Sequence, residues 1–184
     1  MADNQTMQPS GEVGRFEVVD LPSPPADRQR YLPMNFESFD ISTLSEIKAT
    51  FACAEHCDTY STILLAAFNG HAFNSHEQSC YRHIEVLMAA NMVAIESDAV
   101  ILDFTNLKYE WGDEMAGVLF FCSNHPTETG LKIPVAVITS VLNCEGLTSL
   151  VRDEMLESTD DWLFADLTTA VDSLQRRLAS RQAK

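Results

Sequence analysis

Asp98-Ala99-Val100-Ile101-Leu102-Asp103-Phe104 decides the fold. Between the two aspartates every residue is apolar, so neither face of the segment suits water. A strand of that kind belongs inside a sheet covered on both sides. Ile133-Pro134-Val135-Ala136-Val137-Ile138 repeats the pattern and is expected beside it. Ser61-Thr-Ile-Leu-Leu-Ala-Ala-Phe68 is a third run of strand length. Asn69-Gly70 closes it, as a hairpin turn or as a strand-to-helix corner. Trp162-Leu163-Phe164 has the length of a short edge strand. Between these runs apolar residues recur at helical spacing. Cys80, Ile84, Leu87, Met88 and Asn91 share a face behind a capping-box spacing at Ser75 and Gln78. Trp111, Met115, Val118, Leu119 and Cys122 mark a second helix, and Leu147, Leu150 and Val151 a third. Asp166 caps a last one, with Leu167, Ala170, Val171, Leu174 and Leu178 inward. Upstream, Ile41, Leu44, Ile47, Lys48 and Phe51 follow a cap at Asp40 or Ser42 and predict a helix to about Ala54. A bend is expected from Thr105 to Tyr109. Strands alternating with helices predict an α/β domain: a mixed or mainly parallel four- to five-stranded sheet covered by helices, residues 99–104 central and 133–138 adjacent.

The chain has 184 residues, the length of one domain with an appendage. Leu21-Pro-Ser-Pro-Pro25 and Leu32-Pro33 break regular structure. Residues 1–39 are therefore expected to form an extended or disordered N-terminal arm, and residues 40–184 a single α/β domain. Twelve basic residues against 27 acidic ones give a net charge of −15. That excludes a nucleic-acid backbone or an anionic bilayer as the main partner, since both would be repelled. It favours a protein partner with a basic surface, and it leaves self-association open. The first residues are polar, with no basic run before an apolar one, and no apolar run approaches the ~20 residues of a membrane span. Five cysteines, an odd number, read as reduced thiols, so the expected location is cytoplasmic.

No catalytic constellation stands out. Cys53-Ala-Glu-His-Cys57 offers three metal-ligand types in five residues, but no second knuckle follows it. His76, Cys80 and His83 fall on one helix face, where Cys80 continues the apolar stripe toward Ile84. A cysteine nucleophile needs a histidine base and an oxyanion hole, and no Gly-rich elbow stands beside any cysteine. The carboxylate pairs Glu110/Asp113, Asp153/Glu154 and Asp160/Asp161 lie in acidic runs typical of solvated helix ends. The residues thus assign no catalytic group, no metal and no cofactor, and favour a non-enzymatic role. The segment Asp103-Phe-Thr-Asn-Leu-Lys-Tyr-Glu-Trp-Gly-Asp113-Glu114 differs from the rest. It joins a buried strand to a helix start, at the end of a parallel sheet where sites gather. Tyr109, Glu110, Trp111, Gly112, Asp113 and Glu114 are the expected binding surface, within a docking corner from Lys108 to Met115.

From about Tyr60 onward the chain resembles the STAS domains of anti-sigma-factor antagonists and sulfate-transporter tails. A strand ending in Asn69-Gly70 leads into a helix, and Ala99-Val-Ile-Leu-Asp-Phe104 is similar to that family's buried strand. Trp111-Gly112-Asp113-Glu114 occupies the loop that opens the second helix. Phe164-Ala-Asp-Leu-Thr-Thr-Ala-Val-Asp-Ser-Leu174 resembles the closing helix. The resemblance implies a regulatory module acting through protein–protein contact. Regulated members carry a phosphorylatable hydroxyl in that loop, whereas Gly112 and Asp113 stand there in this chain, with no hydroxyl in Glu110-Trp-Gly-Asp-Glu114. A rival resemblance uses Tyr109-Glu-Trp-Gly-Asp113 and Ile133-Pro-Val-Ala-Val, which are similar to degenerate crotonase-like proteins and imply an acyl-CoA-binding protein or enzyme. A deep pocket lined by Gly112, Asp113 and backbone amides near residues 143–146 would favour that alternative.

Overall fold

The computed structural model describes residues 45–56, 61–72, 79–110, 112–125 and 130–182. Contacts divide the chain between Ser38 and Phe39, and all described residues belong to the second unit. The expected arm, the Ser75–Gln78 cap and Trp111 lie outside the described residues.

Among the described residues five strands form one sheet in the order β1-β2-β3-β4-β5: β1 Lys48–His56, β2 Ser61–His71, β3 Ala99–Lys108, β4 Val135–Ile138 and β5 Leu163–Phe164. β1 runs antiparallel to β2, and every later pairing is parallel. The sheet is thus mixed, with β3 third of five and β4 beside it, as the apolar runs require. Helices intervene: α1 Cys80–Ala94, α2 Glu114–Ser123, α3 Cys144–Ser149 continuing into a π-helical turn at Leu150–Glu154, α4 Thr159–Trp162 and α5 Leu167–Gln182.

Period-two alternation divides β3 between two cores. Val100, Leu102 and Phe104 join Leu64, Ala66 and Phe68 of β2 and Val135 and Val137 of β4 under α1, α2 and α3. Ala99 and Ile101 face the other way, with Ile63, Ala136 and Ile138, and meet Ala170, Leu174 and Leu178 of α5. Phe51, Phe68 and Phe104 form an edge-to-face chain across three strands, with ring centroids 6.3 and 5.7 Å apart. α5 is further tied to the sheet by Arg177, whose Nη1 donates to the carbonyls of Val135 and Asp161 at 2.9 and 3.0 Å, and by Arg181, which donates to the carbonyl of Lys132.

Several expectations need correction. The helix expected through Ala54 is instead β1 from Lys48 onward. Ile47 and Phe51 are spaced as on a helix, but Ala49 and Phe51 also alternate, and a nine-residue ladder to β2 decides between the two periods. The bend expected at Thr105 is a bulge within a strand that continues to Lys108. β3 advances from Asp103 to Asn106 while β2 advances only from Ala67 to Asn69. Asn69-Gly70 does not turn a hairpin; β2 runs through it to His71, with Gly70 at φ +137°. Trp162 is buried in α4 rather than in the edge strand. Leu167, expected inward, is 46% exposed at the start of α5. Asp166 does cap that helix, its Oδ1 accepting from the Thr169 amide at 2.9 Å.

Candidate functional site: a groove at the C-terminal end of β3

β4 ends four residues into its pairing with β3, so among the described residues the edge of β3 beyond Asp103 has no strand beside it on that side. The turn after β4 takes the place of the missing strand. Asn143, 2% exposed, donates through Nδ2 to the carbonyls of Phe104 and Leu107 at 2.5 and 2.8 Å. Its Oδ1 accepts from the Ser140 amide at 3.0 Å. Ser140 Oγ donates to the carbonyl of Thr105 at 2.8 Å, and the Tyr109 amide donates to the carbonyl of Leu142 at 3.2 Å. Buried backbone groups require partners, and these bonds supply them where the bulge disturbs the ladder.

Beyond this seam the chain turns sharply. The buried Tyr109 ring anchors it, and its hydroxyl donates to the Gly112 carbonyl at 2.5 Å. Gly112 has φ +129°, a conformation that strains any residue with a Cβ, and an added Cβ would also stand 3.2 Å from Glu114 Oε2. A serine or threonine at this position would be strained in the same way. α3 then packs against the corner through Gly146, where a Cβ would fall 2.5 Å from the Glu110 carbonyl oxygen and 3.1 Å from the Tyr109 ring. Gly146→Ala should push α3 off the corner and lower stability by about 1–3 kcal/mol in a denaturant titration. An unchanged midpoint would show that α3 yields freely.

These walls enclose a groove of about 620 Å³. Lys108, Tyr109, Glu110, Gly112 and Asp113 form one side, and Val141, Leu142, Asn143, Glu145, Gly146, Ser149, Leu150 and Glu154 the other. Most of these residues are exposed, so this is an open groove rather than an enclosed pocket. Four carboxylates line it. Its single basic residue, Lys108, is paired with Glu110 at 2.6 Å, which holds that carboxyl below the usual range. The nearby Arg152 is engaged by Asp153 at 2.7 and 3.0 Å. Burial raises the Tyr81 phenol to about 12, helped by the charge of Glu114, and raises Tyr109 further; both remain neutral. Among the described residues the Tyr81 hydroxyl, beside Gly112, has no hydrogen-bond partner. Two apolar side chains stand out on the rim: Val141, 99% exposed, and Leu142, 45% exposed.

Of the expected binding residues, Tyr109, Glu110, Gly112 and Asp113 line this groove. Glu114 opens α2 just behind it, and Trp111 lies outside the described residues. The sequence reading missed Val141, Leu142 and Glu154 as groove residues. The rule that sites gather at the C-terminal ends of parallel strands finds them when applied to β4 as well as to β3. The other candidates do not converge. Cys80 and His83 are buried in α1, Cys53 is exposed on β1, and Cys57 and His76 lie outside the described residues. Among the described residues no group of three or more His, Cys, Asp or Glu side chains is placed to hold a metal ion. Nor is any helix long and apolar enough to cross a membrane.

No protein-family model matches the chain, and no curated protein does. Among solved structures the chain is similar to one described as an anti-sigma factor antagonist from Mycobacterium paratuberculosis. The superposition has a TM-score of 0.46 and 12% sequence identity, and covers 70% of this chain and 95% of that one.

Proposed function

We propose that the protein is a cytoplasmic, non-enzymatic regulatory module that binds a protein partner in the groove between the Lys108-to-Met115 corner and α3. The observation that carries this reading is the groove's composition: an open concavity with four carboxylates, no unpaired lysine or arginine in its lining, and two exposed apolar side chains at its rim. Such a surface suits a basic segment bearing an apolar anchor, with charge setting the encounter and the anchor setting the residence time. Trp111, beside Gly112 in sequence, is the aromatic that we assign to the same contact.

The test is a titration of the captured partner against the wild type and against Glu145→Lys/Glu154→Lys. Both residues are exposed, so the double variant should fold normally and bind at least about tenfold more weakly. Added salt should weaken the wild-type complex in the same direction. Equal affinity of the double variant would overturn the reading.

One observation bears on the acyl-CoA alternative: the groove is lined by Gly112, Asp113, Asn143, Glu145 and Gly146, although it is open rather than the deep pocket that reading expects. Against it, the amides of Asn143 and Cys144 already donate to the Ser140 carbonyl, and four carboxylates would repel the phosphates of a coenzyme. A calorimetric titration with an acyl-CoA is expected to give no heat of binding.

A further inference from the structure

The acidic groove suits a basic segment with an apolar anchor, and this chain carries two stretches with that charge. Residues 28–36 and 173–184 are the stretches of nine or more residues that hold at least two bases and no acid. The second is committed elsewhere. It lies largely in α5, with Leu174 and Leu178 buried against the sheet and Arg177 and Arg181 donating to backbone carbonyls. The first reads Arg28-Gln-Arg-Tyr-Leu-Pro-Met-Asn-Phe36. Two guanidinium groups stand beside Tyr31, Leu32, Met34 and Phe36, a match for four carboxylates rimmed by Val141 and Leu142. The place where the chain enters the domain suits this segment too. β1 starts beside the C-terminal end of β2: Lys48 pairs with Asn69, and the buried Ile47 lies against Gly70. Gly70 and His71 in turn pair with Leu107 and Lys108 of β3, and Lys108 lines the groove. The entry and the groove thus share one end of the sheet, two strand spacings or about 10 Å apart. Nine residues separate Phe36 from Ser45, enough to span roughly 30 Å when extended.

We infer that residues 28–36 are an internal competitor for the groove, which the partner must displace in order to dock. The inference rests on the groove reading above and adds its regulation. Charge selects the occupant: Arg28 and Arg30 answer Glu110, Asp113, Glu145 and Glu154, whereas most of a chain of net charge −15 would be repelled there. The tether supplies the rest. A short linker holds its segment at an effective concentration on the order of 1 mM, so a free-peptide dissociation constant of about 0.1 mM would already fill the groove about nine-tenths of the time. The partner's apparent affinity is then about tenfold below its intrinsic one. Anything that draws the segment away, by binding it or by changing its charge, raises the activity of the module without touching the domain.

The test uses the purified full chain with a photo-crosslinker in place of Val141 and no partner present. Irradiation should give a product of one chain's mass whose linked peptide falls within residues 28–36. Arg28→Glu/Arg30→Glu should cut that yield at least about fivefold, and so should Glu145→Lys/Glu154→Lys. Combining the two pairs restores opposite charges across the groove and should recover the yield. With the crosslinker absent, Arg28→Glu/Arg30→Glu should bind the captured partner about tenfold more tightly than the wild type. A link only between two chains, a combined variant that recovers nothing, or unchanged partner affinity overturns the inference. A partner lost on Glu145→Lys/Glu154→Lys while Val141 links nothing in residues 28–36 overturns it too, and leaves the groove reading standing. A partner whose affinity ignores both double variants overturns the two together.

Discussion

Asn143→Ala should lower stability by about 3–5 kcal/mol, at about 1–3 kcal/mol for each buried group left without a partner. The side chain serves the carbonyls of Phe104 and Leu107 and the amide of Ser140, and alanine serves none of them. Asn143→Asp is the informative companion. It keeps an acceptor for Ser140 but turns a carboxylate toward two carbonyl oxygens, so it should be at least as damaging near neutral pH. Urea titrations of both variants check this. A loss under about 1 kcal/mol for alanine would mean that the corner is held by something other than this side chain.

Trp111→Ala separates two roles for the indole by which quantity moves. If Trp111 meets the partner, affinity should fall by roughly 2 kcal/mol or more, about thirtyfold, while the melt stays where it was. If the indole belongs to the core, the same change should cost about 3–5 kcal/mol of stability, with binding lost only in proportion to unfolding. Melts and titrations on the same preparations distinguish the outcomes, and the proposed function requires the first.

The physical reach of each signal explains what was legible in the sequence. β3 and β4 could be read because burial on both faces writes itself into consecutive apolar residues, Val100-Ile-Leu102 and Val135-Ala-Val-Ile138. β1 could not, because its conformation is chosen by a ladder to β2 and its own residues fit either period. The Tyr109-to-Glu114 side of the groove was marked by aromatics and carboxylates crowded at a strand end. The opposite wall carried no such mark. Glu145 and Glu154 sit in an acid-rich stretch that reads as a solvated surface, and only the turn after β4 brings them across from Asp113. Asn143 looks like an ordinary residue before a helix, yet its partners lie 39 and 36 residues away. Gly146 likewise shows its purpose only once Glu110 is seen to press against it.

The most direct measurement of the central claim is site-specific photo-crosslinking in the native host. One crosslinker replaces Val141 on the groove rim, and another replaces Val93, exposed at the far end of α1. The Val141 position should capture a protein through a basic segment, with a yield that falls as salt rises and that is lost in Glu145→Lys/Glu154→Lys. Capture of the same protein from Val93 but not from Val141, or undiminished capture in the charge-reversed double variant, would contradict the assignment of the groove as the docking site.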